Sequence, residues 1–176
     1  HKMGGPKGVG ALVVKRGTDI QAQIKGGGQE MGRRSGTENL VGIAGFGAAA
    51  ASAAKDLESG AWEEVEILRN FLENTITEVD PGTTIIGRQL SRLPNTSCLV
   101  TPGWKGETQV MQMDLENIAI SAGSACSSGK VKSSQVLKTM GFDDVSASSA
   151  IRISLGPETT KDEVLRFLGG WTEKRN

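Results

Sequence analysis

The chain has 176 residues and carries twenty basic and twenty acidic side chains, so its formal net charge is zero. That balance argues against a nucleic-acid or polybasic membrane surface as the main partner, and the length supports one ordinary domain, or one domain beside an incomplete neighbour. No apolar run approaches the roughly 18 residues of a membrane span, no N-terminal leader stands out, and two distant cysteines make no disulfide framework, so a reducing cytoplasm is the expected compartment.

Met3–Gly10 reads as a glycine- and proline-rich turn, with an apolar strand expected around Val9–Val14. A polar, glycine-dense segment follows from Gly26 to Thr37. Ser35-x-x-Glu38 fits a capping box, and Leu40, Val41, Ile43, Ala44 and Phe46 then carry helical spacing to about Lys55. After Ser59-Gly60 a second helix is expected over Trp62–Glu78, with Val65, Leu68, Phe71, Leu72 and Ile76 on one face. Short strands are expected at Thr84–Ile86, Thr96–Val100, Ile118–Ile120 and Ala150–Ser154, and helices at Thr108–Asp114 and Ser133–Thr139. Thr160-x-x-Glu163 is a second capping box and opens a last helix. Strands alternate with helices, so the class is α/β or α+β, with a boundary near Gly60.

Four places could carry chemistry. Lys2 stands beside the turn Gly4-Gly5-Pro6-Lys7-Gly8. A lysine amine can form a Schiff base with a carbonyl cofactor, and glycines let a bulky group approach the backbone. Lys7 competes for that role, and an exposed terminal lysine is the plainer reading. Gly26–Thr37 combines glycines, Arg33, Arg34, Ser35 and Thr37 ahead of a helix start, which suits a phosphate. It matches neither the Walker nor the Rossmann spacing, and a capped helix after a loose loop accounts for it equally well.

Cys98 sits inside an apolar strand and reads as a packing residue. Cys126 differs: small polar residues and glycines surround it in Ser121–Gly129, and Lys130 and Lys132 favour its thiolate. Arg152 lies in the apolar run Ala150-Ile151-Arg152-Ile153-Ser154. It must reach solvent, pair with an acid, or receive an anion, and its planar fork suits a carboxylate. His1 is the single imidazole, so no metal-ligand spacing is recognisable.

Together these segments resemble the cysteine desulfurases of the NifS/IscS type, within the class-V aminotransferase family of pyridoxal-phosphate enzymes. His1-Lys2 with Gly4–Gly10 resembles the family's cofactor-lysine motif, Gly26–Asn39 its segment ending in Arg-Ser-Gly-Thr, Ser121–Ser128 its cysteine loop, and Ser149–Gly156 its arginine strand. The resemblance implies an α/β chain that forms the C-terminal part of a fold-type-I pyridoxal-phosphate transferase. Residues 1–59 would be the tail of the large domain, and residues 60–176 a smaller domain with a mobile cysteine loop.

It also implies roles. Lys2 would hold pyridoxal phosphate as a Schiff base, His1 would contribute to its phosphate site, and Thr37 would reach the phosphate bound by the other subunit of a homodimer. Arg152 would hold the substrate carboxylate. Cys126 would take the sulfur of L-cysteine as a persulfide, leaving alanine, for delivery to a sulfur acceptor or iron–sulfur scaffold protein. Selenocysteine lyase is the alternative within the family, and a non-catalytic module that docks a sulfur acceptor is the alternative outside it. Because the family carries a domain-sized portion before its lysine, a chain opening on His1-Lys2 is expected to be part of a longer polypeptide. Alone, it is expected neither to hold the cofactor firmly nor to turn over.

Overall fold

The computed structural model describes residues 2–123 and 133–175. The chain divides into two compact units, His1–Ser59 and Gly60–Asn176.

The first unit is built around one helix, α1 (Leu40–Glu58). Its N-cap is Asn39, whose side chain accepts from the Gly42 N–H at 3.1 Å. The capping box expected at Ser35 does not form: the Ser35 hydroxyl instead donates to the Gly27 carbonyl at 2.6 Å and ties the preceding loop together. The strand expected at Val9–Val14 does not form either. Those residues are irregular and Val13 is 95% exposed, because a strand needs a partner for its N–H and C=O groups and the described part of this unit offers none. α1 buries only Gly42. It also meets the minimum length and apolarity of a membrane-crossing helix, contrary to the sequence expectation. Its alanine-rich composition supplies that apolarity without the long aliphatic run a membrane span usually shows.

The second unit is a four-stranded sheet with helices against it. β1 (Thr84–Ile85), β2 (Thr96–Val100), β3 (Ser121–Ala122) and β4 (Ala150–Ser154) lie in the order β1-β2-β4-β3, with every pair antiparallel. β2 and β4 keep the expected bounds, whereas no strand forms at Ile118–Ile120 and pairing begins three residues further on, at β3. Three helices pack on one face: α2 (Ala61–Val79), α3 (Gly106–Leu115) and α6 (Lys161–Arg175). The main core lies between them, where Leu72, Ile76, Leu99, Met113, Ile151 and Trp171 are almost wholly buried. On the other face Val100 and Ala150 pack with Leu137 of α4 (Gln135–Thr139) and Ala147 of α5 (Asp144–Ser148). The sequence reading misses α5, since five residues give too short a window for helical period to show.

Among the described residues the buried side-chain polar atoms of this unit find partners, apart from Nε of Arg69. Gln109 is fully buried. Its amide nitrogen donates to the carbonyls of Trp104 at 2.8 Å and Ser149 at 3.1 Å, while its oxygen accepts from the Trp171 indole at 3.1 Å. One side chain thus joins α3, α6 and the entry to β4, beside the tilted Trp104–Trp171 pair at 5.4 Å. The box at the start of α6 forms as read: the Thr160 N–H donates to Glu163 at 2.8 Å, and the Glu163 N–H to the Thr160 hydroxyl at 3.3 Å.

At its far end α6 is tied to the end of α2, where Arg175 donates to Asp80 at 2.9 Å. Burial pushes the Asp80 carboxyl up, but hydrogen bonds from Arg175, Thr83 and the Gly82 N–H, with the Arg175 charge, outweigh it and hold Asp80 below its ordinary value. A carboxyl lowered in the folded state stabilises the fold above its unfolded pKa of about 3.9, and that contribution is lost as pH falls through the folded value. Asp80→Asn is therefore expected to lower the urea midpoint most at pH 7, and by less at an acidic pH where the folded carboxyl takes up its proton. Equal deficits at both pH values would refute the ionic contribution.

Candidate functional site

In the first unit the turn that follows Lys2 is seated on α1 by glycines of the helix. A Cβ built at Gly42 would lie 2.5 Å from the Val9 side chain, and one at Gly45 would lie 2.6 Å from Pro6. These two helical glycines, three residues apart on one face, create the groove that the turn fills. On the other side of the contact, Gly5 faces Phe46 and Ala49, each 3.4 Å from its built Cβ. Gly4 and Gly8 adopt positive φ, +88° and +83°, with open space around them, so the backbone bends there at little cost and leaves room. Lys2 and Lys7 are both exposed.

The glycine-rich loop leads into the same helix. Gln29–Gly32 is a tight turn in which Glu30 and Met31 hold left-handed backbone angles, φ 50° and 57°. Such angles are unfavourable for residues with side chains and persist only where surrounding contacts enforce them. The Gln29 side chain accepts from the Gly36 N–H at 3.1 Å, and Arg34 donates to the Ser35 carbonyl at 2.6 Å. Thr37 is exposed, two residues before the Asn39 cap. The exposed amine beside bending glycines suits a carbonyl group, and, separately, the hydroxyl ahead of a helix N-terminus suits a phosphate.

In the second unit Arg152 is half-buried on β4. Among the described residues it enters no ion pair and donates no hydrogen bond to a carboxylate. The β2–β4 register places Cys98 directly opposite it, and β3 places Ser121 opposite on the other side. The Ile86 N–H donates to the Cys98 carbonyl and the Leu155 N–H to the Asn95 carbonyl, so Cys98 directs its backbone groups to β1 and away from β4. Cys98 and Arg152 are therefore a non-hydrogen-bonded pair, the kind whose side chains approach most closely, with Cα atoms roughly 4.5 Å apart. Burial pushes the Cys98 thiol up from its ordinary value, and the Arg152 charge only partly opposes this.

The sequence treats Cys98 simply as a packing residue. Its place beside Arg152 depends on strand register, for which the sequence has no signal. His1 and Cys126 lie outside the described residues. Lys2 and Thr37 belong to the first unit, and Arg152 to the second.

Comparison with known proteins adds a family to this geometry. A cysteine desulfurase of Cereibacter sphaeroides is 43% identical over 168 residues, which is 96% of this chain and 42% of that protein. The cysteine desulfurase NifS of Azotobacter vinelandii is 39% identical over the same shares. A solved NifS-like protein superposes with a TM-score of 0.83 at 37% identity, covering 99% of this chain and 44% of that one. The chain thus spans less than half the length of these relatives. The aminotransferase class-V profile matches residues 1–167, and with the NifS-like fold and the arrangement described above this chain belongs to the class-V aminotransferase family.

Proposed function

We propose that these residues supply the lysine, cysteine and arginine of a pyridoxal-phosphate-dependent cysteine desulfurase, which converts L-cysteine to alanine and an enzyme-bound persulfide. The observation that carries this reading is Arg152, a guanidinium set in an apolar strand with no carboxylate partner among the described residues. A cation so placed calls for an anion from outside, and the planar fork receives a carboxylate through two parallel hydrogen bonds. Family membership supplies the rest of the frame.

When bound, pyridoxal phosphate supplies an electron sink for chemistry at the substrate Cα. Lys2 holds the cofactor carbonyl through its amine and carries a proton to and from the substrate. The open glycines at 4 and 8 let the cofactor approach that amine. His1 contributes to the phosphate site, and Thr37 offers a hydroxyl to the phosphate bound by the second subunit of a homodimer. Arg152 fixes the substrate by its carboxylate. The Cys126 thiolate then attacks the substrate sulfur: an S–S bond forms as the substrate Cβ–Sγ bond breaks, and the carbon keeps the electron pair and takes a proton to become the methyl of alanine. The persulfide passes to a sulfur acceptor or iron–sulfur scaffold protein in the cytoplasm.

The test uses a polypeptide of full family length that carries residues 1–176. After incubation with L-cysteine and rapid alkylation, mass spectrometry is expected to find one extra sulfur on the Cys126 peptide, together with free alanine. Cys126→Ala is expected to abolish both. Alanine formation that continues unchanged in that variant would overturn the assignment.

A further inference from the structure

The strand pairing gives the carboxylate-binding arginine a neighbour whose properties matter for how it works. Cys98 occupies the closest cross-strand position to Arg152. Cys98 also packs against the cluster of Val100, Leu137, Ala147 and Ala150, which belongs to the sheet, α4 and α5. A long arginine side chain standing on a sheet leans on its cross-strand neighbours, and the size and charge of those neighbours decide where its head points. We propose that Cys98 is a positioning residue of the carboxylate subsite, walling the Arg152 stem on the β2 side with a side chain too small to occupy its guanidinium. The inference rests on the reading of Arg152 as the group that receives the substrate carboxylate.

Charge supports it as well as shape. With its thiol pushed up by burial, Cys98 meets Arg152 as neutral S–H near pH 7. An acidic side chain at this position would pair with Arg152 internally and compete with the substrate. Position 98 therefore determines whether the arginine is available for an external anion.

Three substitutions at Cys98 separate wall from charge in a polypeptide of full family length carrying residues 1–176. Cys98→Asp sets a carboxylate against Arg152 and is expected to raise KM for L-cysteine about 50-fold, within the range of one charge-assisted hydrogen bond, while kcat changes less than about threefold. Cys98→Ala removes the wall and is expected to raise KM about fivefold, whereas Cys98→Ser keeps the size and stays within about twofold of the parent.

A second measurement needs neither cofactor nor turnover. In the same polypeptide of full family length, carrying Cys126→Ser and without added cofactor, iodoacetamide alkylation of the Cys98 peptide is followed against pH by mass spectrometry. Arg152→Leu is expected to move the alkylation midpoint upward, since it removes the positive charge that favours the thiolate. A midpoint that stays in place would overturn the juxtaposition itself, even if Cys98→Asp fails to fold. If Arg152→Leu leaves KM for L-cysteine unchanged, the carboxylate reading falls and this inference with it. If Arg152→Leu raises KM while Cys98→Asp and Cys98→Ala do not, only the role given to Cys98 falls.

Discussion

Arg92→Met is expected to destabilise the second unit by about 3–5 kcal/mol, the usual cost of leaving one partner of a buried ion pair without the other. Glu73 of α2 is only 1% exposed. Both its oxygens accept from the Arg92 guanidinium, at 2.6 and 2.8 Å, and one also accepts from the Ser97 hydroxyl of β2 at 2.5 Å. Arg92 in turn donates to the Thr96 carbonyl at 2.9 Å. The network therefore fastens α2 and the segment before β2 to the strand. Methionine has no charge, so the Glu73 carboxylate, itself almost wholly buried, would keep a single hydroxyl donor, that of Ser97. Desolvation then dominates, because the Coulombic gain that offset it has gone.

The double variant Arg92→Met with Glu73→Leu is the informative control. It removes both charges and is expected to recover most of the loss, since a buried pair replaced by apolar groups of similar volume is often close to neutral. Urea unfolding of the three proteins checks this. A single variant within about 1 kcal/mol of the parent would show that Glu73 finds other partners or water.

The second large effect is expected at Gly106→Ala. Gly106 begins α3, where alanine would ordinarily favour the helix by up to about 1 kcal/mol over glycine. Packing opposes that preference. A Cβ at this position would lie 2.5 Å from the Ala150 carbonyl oxygen of β4 and 3.1 Å from the Ala122 side chain of β3. The first is a backbone atom within the paired strand, so the clash is relieved only by moving α3 or β4. Overpacking of this kind costs about 1–3 kcal/mol, enough to override helix propensity. Net destabilisation of about 1–2 kcal/mol is expected.

Gly169→Ala makes the matching comparison. Gly169 is exposed in α6 and its built Cβ meets nothing within 4 Å, so the same substitution there is expected to stabilise by about 0.5–1 kcal/mol. Opposite signs in the two midpoints would establish that close approach, and not backbone freedom, is the reason for glycine at 106. A stabilising Gly106→Ala would refute it.

Much of the second unit was legible because its signals are local. β2 and β4 follow from short apolar β-branched runs, α2 from its 3.6-residue period, and the start of α6 from Thr160 and Glu163, whose bonds close within one turn. The failures lie where a second element decides. Ser35 and Asn39 are both chemically able to cap α1; Ser35 is drawn to the Gly27 carbonyl, leaving Asn39 to bond Gly42. Val9–Val14 has strand composition but no strand to pair with among the described residues, and composition alone cannot supply hydrogen-bond partners.

The candidate site divides in the same way. Residue types and spacing brought forward Lys2, the Gly26–Thr37 loop, Cys126 and Arg152, with a plainer reading beside Lys2, the loop and Arg152, and the roles given to them, Thr37 included, came with the family resemblance. The same residue types and spacing carried that resemblance, since four short motifs in order survive translation into one dimension. Only the tertiary structure decided what stands next to what. Gly42 and Gly45 became a seat for the lysine turn, and Cys98 moved from a packing residue to the cross-strand neighbour of Arg152. Register and close approach are relations between residues distant in the chain, set by how whole faces pack, and no local pattern encodes them.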